Sequence, residues 1–275
     1  MGTQRTQGFT ILETTLFLAV TGLLIIGTLT GIGASLNVQR YRDSVQSLKS
    51  VLQDQFTQTK NVVNDHDSTW KCSAAAQVSQ TGAGTQRGQS DCVILGRYVV
   101  IDRDTISIQN VVGNQIANTT TGTDIQLLKA NYAVALNDSS ATTSKLEWGT
   151  KIIWPTSGTG SQPSNTPRSI GILLVQSPDS GIIYTFTADS PKDIASTTGA
   201  DLLAMMVTGD SVSQLYGSAT LRGQDQRTLC IDPGSFVAFG GTAIVLQPFA
   251  SNSTAVETQT NELLQQNFGN GAPQC

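Results

Sequence analysis

The sequence has few charged residues. They make up 13% of the 275 residues, with a net charge of −4, against about 25% in a typical chain. No basic stretch interrupts this pattern, which argues against a nucleic acid as the main ligand. The hydrophobic fraction of 39% is sufficient for a folded core. A Ser/Thr-rich chain with so few charges is typical of a protein that works outside the cytoplasm.

The sequence also has little that could support catalysis. Its one histidine, His66, lies between two aspartates, where a solvated helix end explains it better than a metal ligand or a pH switch. Residues 158–160 (Gly-Thr-Gly) lack the lysine of a phosphate-binding loop. Residues 102–104 (Asp-Arg-Asp) lack the pattern of an EF-hand calcium loop. We therefore expect no catalytic residue, no metal site and no cofactor.

Only one long apolar run is present, and it lies near the N-terminus. Residues 9–36 contain a single charged side chain, that of Glu13. As a helix with about 1.5 Å rise per residue, this run extends roughly 42 Å, more than the ~30 Å hydrocarbon core of a bilayer. The sequence therefore predicts one membrane-inserting segment.

Three interpretations of this segment compete. A secretory signal peptide cut near Gly33 or Ala34 has an apolar stretch of only about 7–15 residues, and it does not explain Glu13. In a plain single-pass anchor, Glu13 costs roughly 2.5–3.5 kcal/mol near the bilayer centre. The third interpretation gives Glu13 a function.

The residues around Glu13 favour the third interpretation. A short polar leader with Arg5 precedes Gly8 and Phe9, Glu13 follows four residues after Phe9, and the apolar run continues from there. This pattern resembles the class III signal of type IV pilins and type II secretion pseudopilins. The resemblance covers residues 1 to about 60. It implies that a prepilin peptidase cuts after Gly8 and that Phe9 becomes the N-methylated first residue.

The spacing of Phe9 and Glu13 has a physical reason. Residues four apart share one face of a helix. An isolated carboxylate and an isolated ammonium are both costly in hydrocarbon. If the Glu13 carboxylate pairs with the Phe9 amine of a neighbouring subunit, both costs are offset and the axial register of the incoming subunit is set. Phe9 and Glu13 are therefore the candidate assembly residues.

The span carries four glycines, Gly22, Gly27, Gly31 and Gly33. Gly27 and Gly31 form a small-xxx-small pair, which lets helices approach closely. The later half of the span in the resembled family often contains a proline, which this chain lacks. The glycines could loosen the helix instead, or they are ordinary transmembrane content.

The helical pattern continues past the apolar run. From residue 41 the large apolar residues recur at steps of three and four, and no proline occurs in residues 9–65. The apolar positions are Tyr41, Val45, Leu48, Leu52, Phe56 and Val63. We predict one helix over residues 9–63. Its first half forms a membrane or filament core, and its second half packs on a globular head.

Four cysteines, Cys72, Cys92, Cys230 and Cys275, are consistent with disulfides in an exported domain. They contain no CxxC pair and no nearby histidine that would indicate zinc. Three pairings are open. We favour Cys72–Cys92 with Cys230–Cys275, which resembles the disulfide-bounded C-terminal loop of many type IV pilins. Each bond should stabilise the fold by roughly 2–4 kcal/mol.

The membrane orientation rests on these cysteines. Arg5 precedes the apolar run, whereas Arg40 and Arg42 follow it, so the positive-inside rule alone does not favour a cytoplasmic N-terminus. Disulfides after the span place the head outside the cytoplasm.

The rest of the chain is predicted to form mainly strands. β-branched and apolar runs bounded by turn residues indicate strands over 93–101, 105–112, 151–154, 170–176, 182–187, 202–208, 228–231 and 236–247. Residues 256–268 are predicted as a short helix. The expected fold class is α+β, with a long N-terminal helix packed on an antiparallel, mostly β head. The expected organisation is a leader over 1–8, a transmembrane or filament-core helix over 9–36, its amphipathic continuation over 37–65 and a head over 66–275.

Together these features predict a structural subunit of a type IV pilus-like filament that serves adhesion, motility or DNA uptake. The large head favours a minor or specialised pilin, or a major one with insertions. The resemblance implies as partners other pilin subunits, prepilin peptidase, a platform protein, an assembly ATPase and the membrane. The subunit would span the cell membrane once, with a cytoplasmic N-terminus, before it enters an extracellular filament. One alternative is a type II secretion or competence pseudopilin. Another is a membrane-anchored or secreted enzyme or binding protein whose leader matches by chance.

Overall fold

The computed structural model describes residues 10–61, 70–80, 92–157, 166–189, 191–206, 222–223, 226–232, 241–268 and 273–275. A single helix, α1, runs over Ile11–Lys60. Thr10 caps its start, because the Thr10 Oγ1 atom accepts the Glu13 backbone N–H at 3.4 Å. The predicted long helix is confirmed over this range. Gly8, Phe9, Val63 and His66 lie outside the described residues.

The two halves of α1 have different surroundings. Its apolar first part, up to Leu36, is exposed, whereas from Tyr41 onward one face is buried. The buried apolar residues of that face are the predicted ones, namely Tyr41, Val45, Leu48, Leu52 and Phe56. Since their spacing keeps them on one side of the helix, the second half of α1 packs as part of the head.

The head is built from short helices and antiparallel strands. In chain order the elements are β1 Trp70–Cys72, β2 Val78–Gln80, β3 Cys92–Asp102, β4 Thr105–Gln115, α2 Asp124–Asn131, β5 Tyr132–Lys145, β6 Lys151–Ile153, β7 Thr156–Ser157, β8 Ser169–Gln176, β9 Ile183–Asp189, α3 Gly199–Met205, β10 Arg222–Gly223, β11 Arg227–Asp232, β12 Thr242–Leu246, β13 Val256–Thr260, α4 Asn261–Phe268 and β14 Pro273–Gln274.

Two sheets form the body of the head. Six strands pair in the order β10-β9-β8-β3-β4-β5, and four pair in the order β13-β12-β11-β6. Every pairing in both sheets is antiparallel. The small pairs β1–β2 and β14–β7 complete the described strands. The combination of a long helix with antiparallel sheets is an α+β fold, as predicted.

The central strands of the six-stranded sheet are buried on both faces. Along β3, Val99 and Ile101 belong to the core that includes α1, whereas Tyr98 and Val100 belong to a second core under α2 and α3. This alternation follows the period of two in a strand. Because both faces are covered, the central strands read as nearly continuous apolar runs, which is why the sequence identified them.

The second half of α1 lies against both sheets. Its Leu48 and Leu52 share one core with Ile170 of the six-stranded sheet and with Ile231 and Ile244 of the four-stranded sheet. On the other face of the four-stranded sheet, Ala243 and Val245 pack with Leu264 of α4.

Two disulfides join Cys72 to Cys92 and Cys230 to Cys275, with Cα–Cα distances of 5.6 Å and 5.1 Å. The first ties β1 to the start of β3. The second ties β11 to the C-terminal residue. This is the favoured one of the three pairings that the sequence left open.

Turns join two pairs of the predicted strands. Strands β3 and β4 form a hairpin around Arg103, which has a φ of +56°. Strands β8 and β9 flank residues 177–181, where the Gly181 N–H donates to the Ser177 carbonyl at 2.9 Å. Gly181 has a φ of +70°, a conformation that glycine adopts without steric cost.

The strand predicted over 202–208 is wrong, because the described part of this stretch belongs to helix α3. Thr198 caps α3, and its side chain and that of Asp201 each accept the other residue's backbone N–H. The residues that follow are Leu, Ala and Met, which favour helices. One apolar face, formed by Leu202 and Met205, packs on the six-stranded sheet.

The helix predicted over 256–268 is wrong in its first five residues. Val256–Thr260 form β13 and pair with β12, and only Asn261–Phe268 form α4. The strand predicted over 236–247 is seen as Thr242–Leu246, while residues 233–240 lie outside the described residues. Helix α2 and the long strand β5 were not predicted.

Candidate assembly surface on the N-terminal helix

The first part of α1 exposes a long apolar surface. The exposed fraction is 85% at Ile11 and still 45% at Leu36. This helix is long and apolar enough to cross a membrane, and it is the one such helix in the part of the chain that the structure describes. The other exposed large residues are Leu12, Leu16, Phe17, Leu18, Val20, Leu23, Leu24, Ile25, Ile26, Leu29 and Ile32. A surface of this size and composition indicates a membrane or a protein interface.

The threonines of this surface are adapted to apolar surroundings. Each hydroxyl donates to a backbone carbonyl one turn back, at 2.8–3.0 Å. The five residues are Thr14, Thr15, Thr21, Thr28 and Thr30. Because each hydroxyl proton is already bonded within the helix, these side chains do not need water or a partner.

Glu13 differs from these threonines. It lies in the first turn of α1, where a negative charge is favoured by the helix dipole. Its backbone N–H is bonded to Thr10 at the cap. Within the described residues, no hydrogen bond or ion pair engages its carboxylate. The one charge of the apolar surface is therefore available to a group from another chain.

Glu13 shares a helix face with two of the glycines. Positions 13, 20, 24, 27 and 31 are separated by steps of seven, four, three and four, which keep them on one side of an α-helix. A Cβ atom added at Gly27 or Gly31 would meet nothing within 4 Å. These glycines are therefore not required by packing inside this chain, and they leave a shallow strip beside which a second helix fits.

Hydrogen bonds fix the second half of α1 to the head. The Tyr41 hydroxyl accepts the Thr242 N–H at 2.8 Å and donates to the Ile231 carbonyl at 3.2 Å. Burial raises the pKa of the Tyr41 hydroxyl, against an opposing effect of the Thr242 bonds, so it remains a donor. The Gln53 amide donates to two carbonyls, including that of Ser253 at 3.1 Å. The exposed half of α1 thus projects from the head with a fixed direction.

The structure brings only part of the predicted site together. Gly8 and Phe9 lie outside the described residues, so the cleavage site and the amine that would pair with Glu13 are not seen. Glu13 is exposed, as an assembly role needs, and the four cysteines are all disulfide-bonded.

The buried ion pair of Arg168 and Asp189 was not predicted from the sequence. The Arg168 Nη2 atom lies 2.6 Å from the Asp189 carboxylate, and Nη1 donates to the Thr228 carbonyl at 2.6 Å. The guanidinium also stacks on Trp154, 4.3 Å from the ring centroid. No local motif marks these residues, because three separate segments supply the contacts.

A small polar cleft lies between the end of α1 and strands β3 and β4. Its volume is about 190 Å³, below the range of about 300–1,000 Å³ that is usual for ligand pockets. Burial lowers the pKa of Arg97 in this cleft, and its Nη1 atom donates to the Gln55 side chain at 3.4 Å. The residues that line it are Gln58, Thr59, Asn61, Ile94, Gly96, Arg97 and Asn110.

No group of three or more His, Cys, Asp or Glu side chains within the described ranges could hold a metal ion. Comparisons with protein-family models, with curated proteins and with solved structures give no match for this chain.

Proposed function

We propose that the protein is a structural subunit of a type IV pilus-like filament. The observation that carries the proposal is the exposed apolar half of α1. It bears one free carboxylate near its start and projects from a β-rich, disulfide-bonded head. The Gly8-Phe9 sequence before it supplies the resemblance to the prepilin cleavage signal.

Processing by a prepilin peptidase follows from that signal. Cleavage after Gly8 frees the amino group of Phe9, which is then N-methylated. The new terminus lies four residues before Glu13. The subunit waits in the cell membrane with a cytoplasmic N-terminus and the head outside, where its disulfides are stable.

Assembly replaces lipid around the helix with the helices of other subunits. Lipid tails are as apolar as leucine, so this exchange gains little from the hydrophobic effect and relies on close packing and polar contacts. The face with Glu13, Gly27 and Gly31 offers both. Its carboxylate pairs with the Phe9 amine of a neighbour, and its glycines let the helices approach.

The partners of this process are other pilin subunits, a platform protein in the membrane and an assembly ATPase on the cytoplasmic side. These come from the resemblance of the N-terminal signal. The assembled filament is extracellular and serves adhesion, motility or DNA uptake.

The N-terminus of the mature chain tests the proposal. The protein is purified from the membranes of its native host and from material sheared off the cells, and its first residue is identified by mass spectrometry. A chain that begins at N-methylated Phe9 supports the proposal. A start near Ala34 indicates ordinary secretion, and an intact Met1 indicates a plain anchor. Either of the last two results contradicts a filament subunit.

Electron microscopy of the sheared fraction, with antibody against the head, then separates a surface pilus from a pseudopilus. A labelled surface filament supports the pilus. A methylated subunit that is found only in the membrane fraction contradicts it.

A further inference from the structure

An exposed tryptophan lies where α1 leaves the head. Trp148 is 57% exposed and forms the centre of a 3₁₀ turn, Glu147–Gly149, with a φ of +59°. A bulky residue in this region of φ is a backbone outlier that its surroundings must hold in place. An aromatic ring that is held in this way toward the exterior suggests an external contact.

The turn is fixed to α1 rather than to a distant part of the head. The hydroxyls of Ser44 and Thr150 lie 2.5 Å apart, and the Thr150 hydroxyl donates to the Glu147 carbonyl at 2.9 Å. The Arg40 guanidinium lies over the Trp148 ring, 4.9 Å from its centroid. The indole therefore keeps a constant height along the helix axis.

That height corresponds to the edge of a bilayer. The apolar run ends at Leu36, which marks the outer boundary of the hydrocarbon. A core of about 30 Å in a bilayer of about 40–45 Å leaves about 5–7 Å for the headgroup layer on each side. Arg40, the first charged residue after Glu13, lies roughly 6 Å beyond Leu36 along the axis, within that outer layer. Trp148, stacked on Arg40, lies at the same depth.

We propose that Trp148 and Arg40 anchor the head in the outer headgroup layer of the membrane before assembly. Tryptophan is enriched at this depth because its apolar ring and polar N–H suit the interface. An arginine beside it can donate to a lipid phosphate. The inference rests on the membrane stage of the proposed function.

The charges near the turn favour insertion of the ring over attraction to an anionic surface. Arg40 and Arg42 are matched in number by Asp43 and Glu147, so this end of the head has no marked charge of one sign. A zwitterionic phospholipid is therefore the expected partner. A lipid is favoured over a second protein because the exposed apolar half of α1 begins at this same end of the head.

Quenching by brominated lipid tests the inference. The full-length protein is placed in vesicles of phosphatidylcholine that carries bromine on the acyl chains close to the ester bonds. The tryptophan emission of the wild type is compared with that of Trp148→Phe. Trp70 and Trp154 are present in both proteins, so the difference between the two emissions belongs to Trp148. We expect this difference to be lost in brominated vesicles and to be retained in unbrominated ones.

A matched control moves the indole to an exposed aromatic position elsewhere on the head. Phe249 is 71% exposed and has a φ of +53°. Its loop packs near Gln53, which is roughly 20 Å beyond Arg40 along α1. In the double variant Trp148→Phe/Phe249→Trp, the emission of the new tryptophan should resist quenching.

The outcomes separate the two proposals. Equal quenching of the wild type and Trp148→Phe, in protein that floats with the vesicles, overturns the headgroup anchor and leaves the membrane span standing. Protein that does not float with vesicles overturns both the anchor and the membrane stage. Quenching of the indole at position 249 to the same degree as that at 148 also overturns the anchor.

Discussion

Glu13 and the threonines around it show two ways in which an apolar helix carries polar side chains. The hydroxyls of Thr14 and Thr15 are bonded to carbonyls of their own helix. The Glu13 carboxylate has no such bond within the described residues. A satisfied hydroxyl adds little cost in lipid, whereas a free carboxylate is costly until a cation pairs with it. Only the carboxylate therefore needs a partner group from a neighbouring chain.

Replacement of Glu13 by valine should leave the protein in the membrane but remove it from filaments. The span becomes more apolar, so insertion is retained, while the partner of the incoming amine is lost. The measurement is the amount of the protein in sheared filaments relative to the membrane fraction. Thr14→Val is the matched control and should assemble normally, because its hydroxyl serves only its own helix. Normal assembly of Glu13→Val would contradict the assembly role.

Tyr41 links the two parts of the molecule through a single hydroxyl. Replacement by phenylalanine leaves the Thr242 N–H and the Ile231 carbonyl without this partner. We expect the free energy of unfolding to fall by about 1–3 kcal/mol, measured by thermal unfolding of the full-length protein in detergent micelles. Tyr132→Phe is the control and should change it by less than about 0.5 kcal/mol, because no hydrogen bond of the Tyr132 hydroxyl is seen among the described residues. An equal loss in both variants would contradict the role of the Tyr41 hydroxyl.

At the scale of elements, α3 shows how a cap decides between helix and strand. Residues 202–205 form an apolar run that fits either structure. Thr198 and Asp201 form a reciprocal cap three residues apart, which satisfies backbone N–H groups that only a helix leaves free. The strand prediction overlooked this capping pair, although both residues are local in sequence.

The same cap predicts a pH dependence of stability. Hydrogen bonds from Lys192 and from Thr198 lower the pKa of Asp201 from 3.8 to about 2. Because the folded pKa is depressed, the stabilisation is fully present above about pH 4 and is lost as the pH falls toward 2. We expect Asp201→Asn to cost about 1 kcal/mol at neutral pH, since the Lys192 ion pair is largely exposed and adds little.

The difference between wild type and Asp201→Asn should therefore shrink between about pH 4 and pH 2, as measured by thermal unfolding at each pH. Asp193→Asn is the control. No hydrogen bond of the Asp193 carboxylate is seen in the described segments, so this variant should follow the wild type throughout. A difference for Asp201→Asn that stays constant over this range would exclude the cap as its cause.

Strand β5, in contrast, cannot be predicted from its own residues. From Asn137 onward its residues are mostly Asn, Asp, Ser and Thr, which have turn or loop character in a sequence. They form a strand because β4 pairs with them on one side, with a register shift between Ile108 and Asn110. No pattern within residues 132–145 contains that information, since the partner strand supplies it.

At the scale of the whole molecule, the two disulfides close loops of different length. Cys72–Cys92 spans a sequence separation of 20, and Cys230–Cys275 spans 45. If each bond acts mainly by restricting the unfolded chain, the stabilisation grows with the logarithm of loop length. The expected contributions are about 3.3 and about 4.0 kcal/mol.

Removal of the C-terminal disulfide should therefore destabilise the protein more. We expect Cys230→Ser/Cys275→Ser to lower the free energy of unfolding by about 0.7 kcal/mol more than Cys72→Ser/Cys92→Ser. Burial adds to this difference, because Cys230 is fully buried and transfer of a serine hydroxyl from water into the core is costly. Unfolding of both variants in detergent, beside the wild type, gives the comparison. A greater loss at the N-terminal pair would contradict the dependence on loop length.

Local sequence determined the long helix, its exposed apolar half and its buried face. An unbroken run without proline, a single charge and a three-to-four-residue period are properties of the segment itself. The central strands were equally evident, because burial on both faces makes them uniformly apolar. The N-terminal signal, including Gly8 and Phe9, is also a property of the sequence alone.

Tertiary structure decided the features that depend on a partner segment. Val256–Thr260 became a strand because β12 lies beside it. Of the three possible pairings of the four cysteines, one forms because β11 brings Cys230 to the C-terminal residue. The Trp148 ring contacts Arg40 because the Ser44–Thr150 contact holds the turn Glu147–Gly149 against α1. In each case the deciding interaction joins separate segments of the chain. Residues that do not interact until the chain folds leave no pattern in a local stretch of sequence.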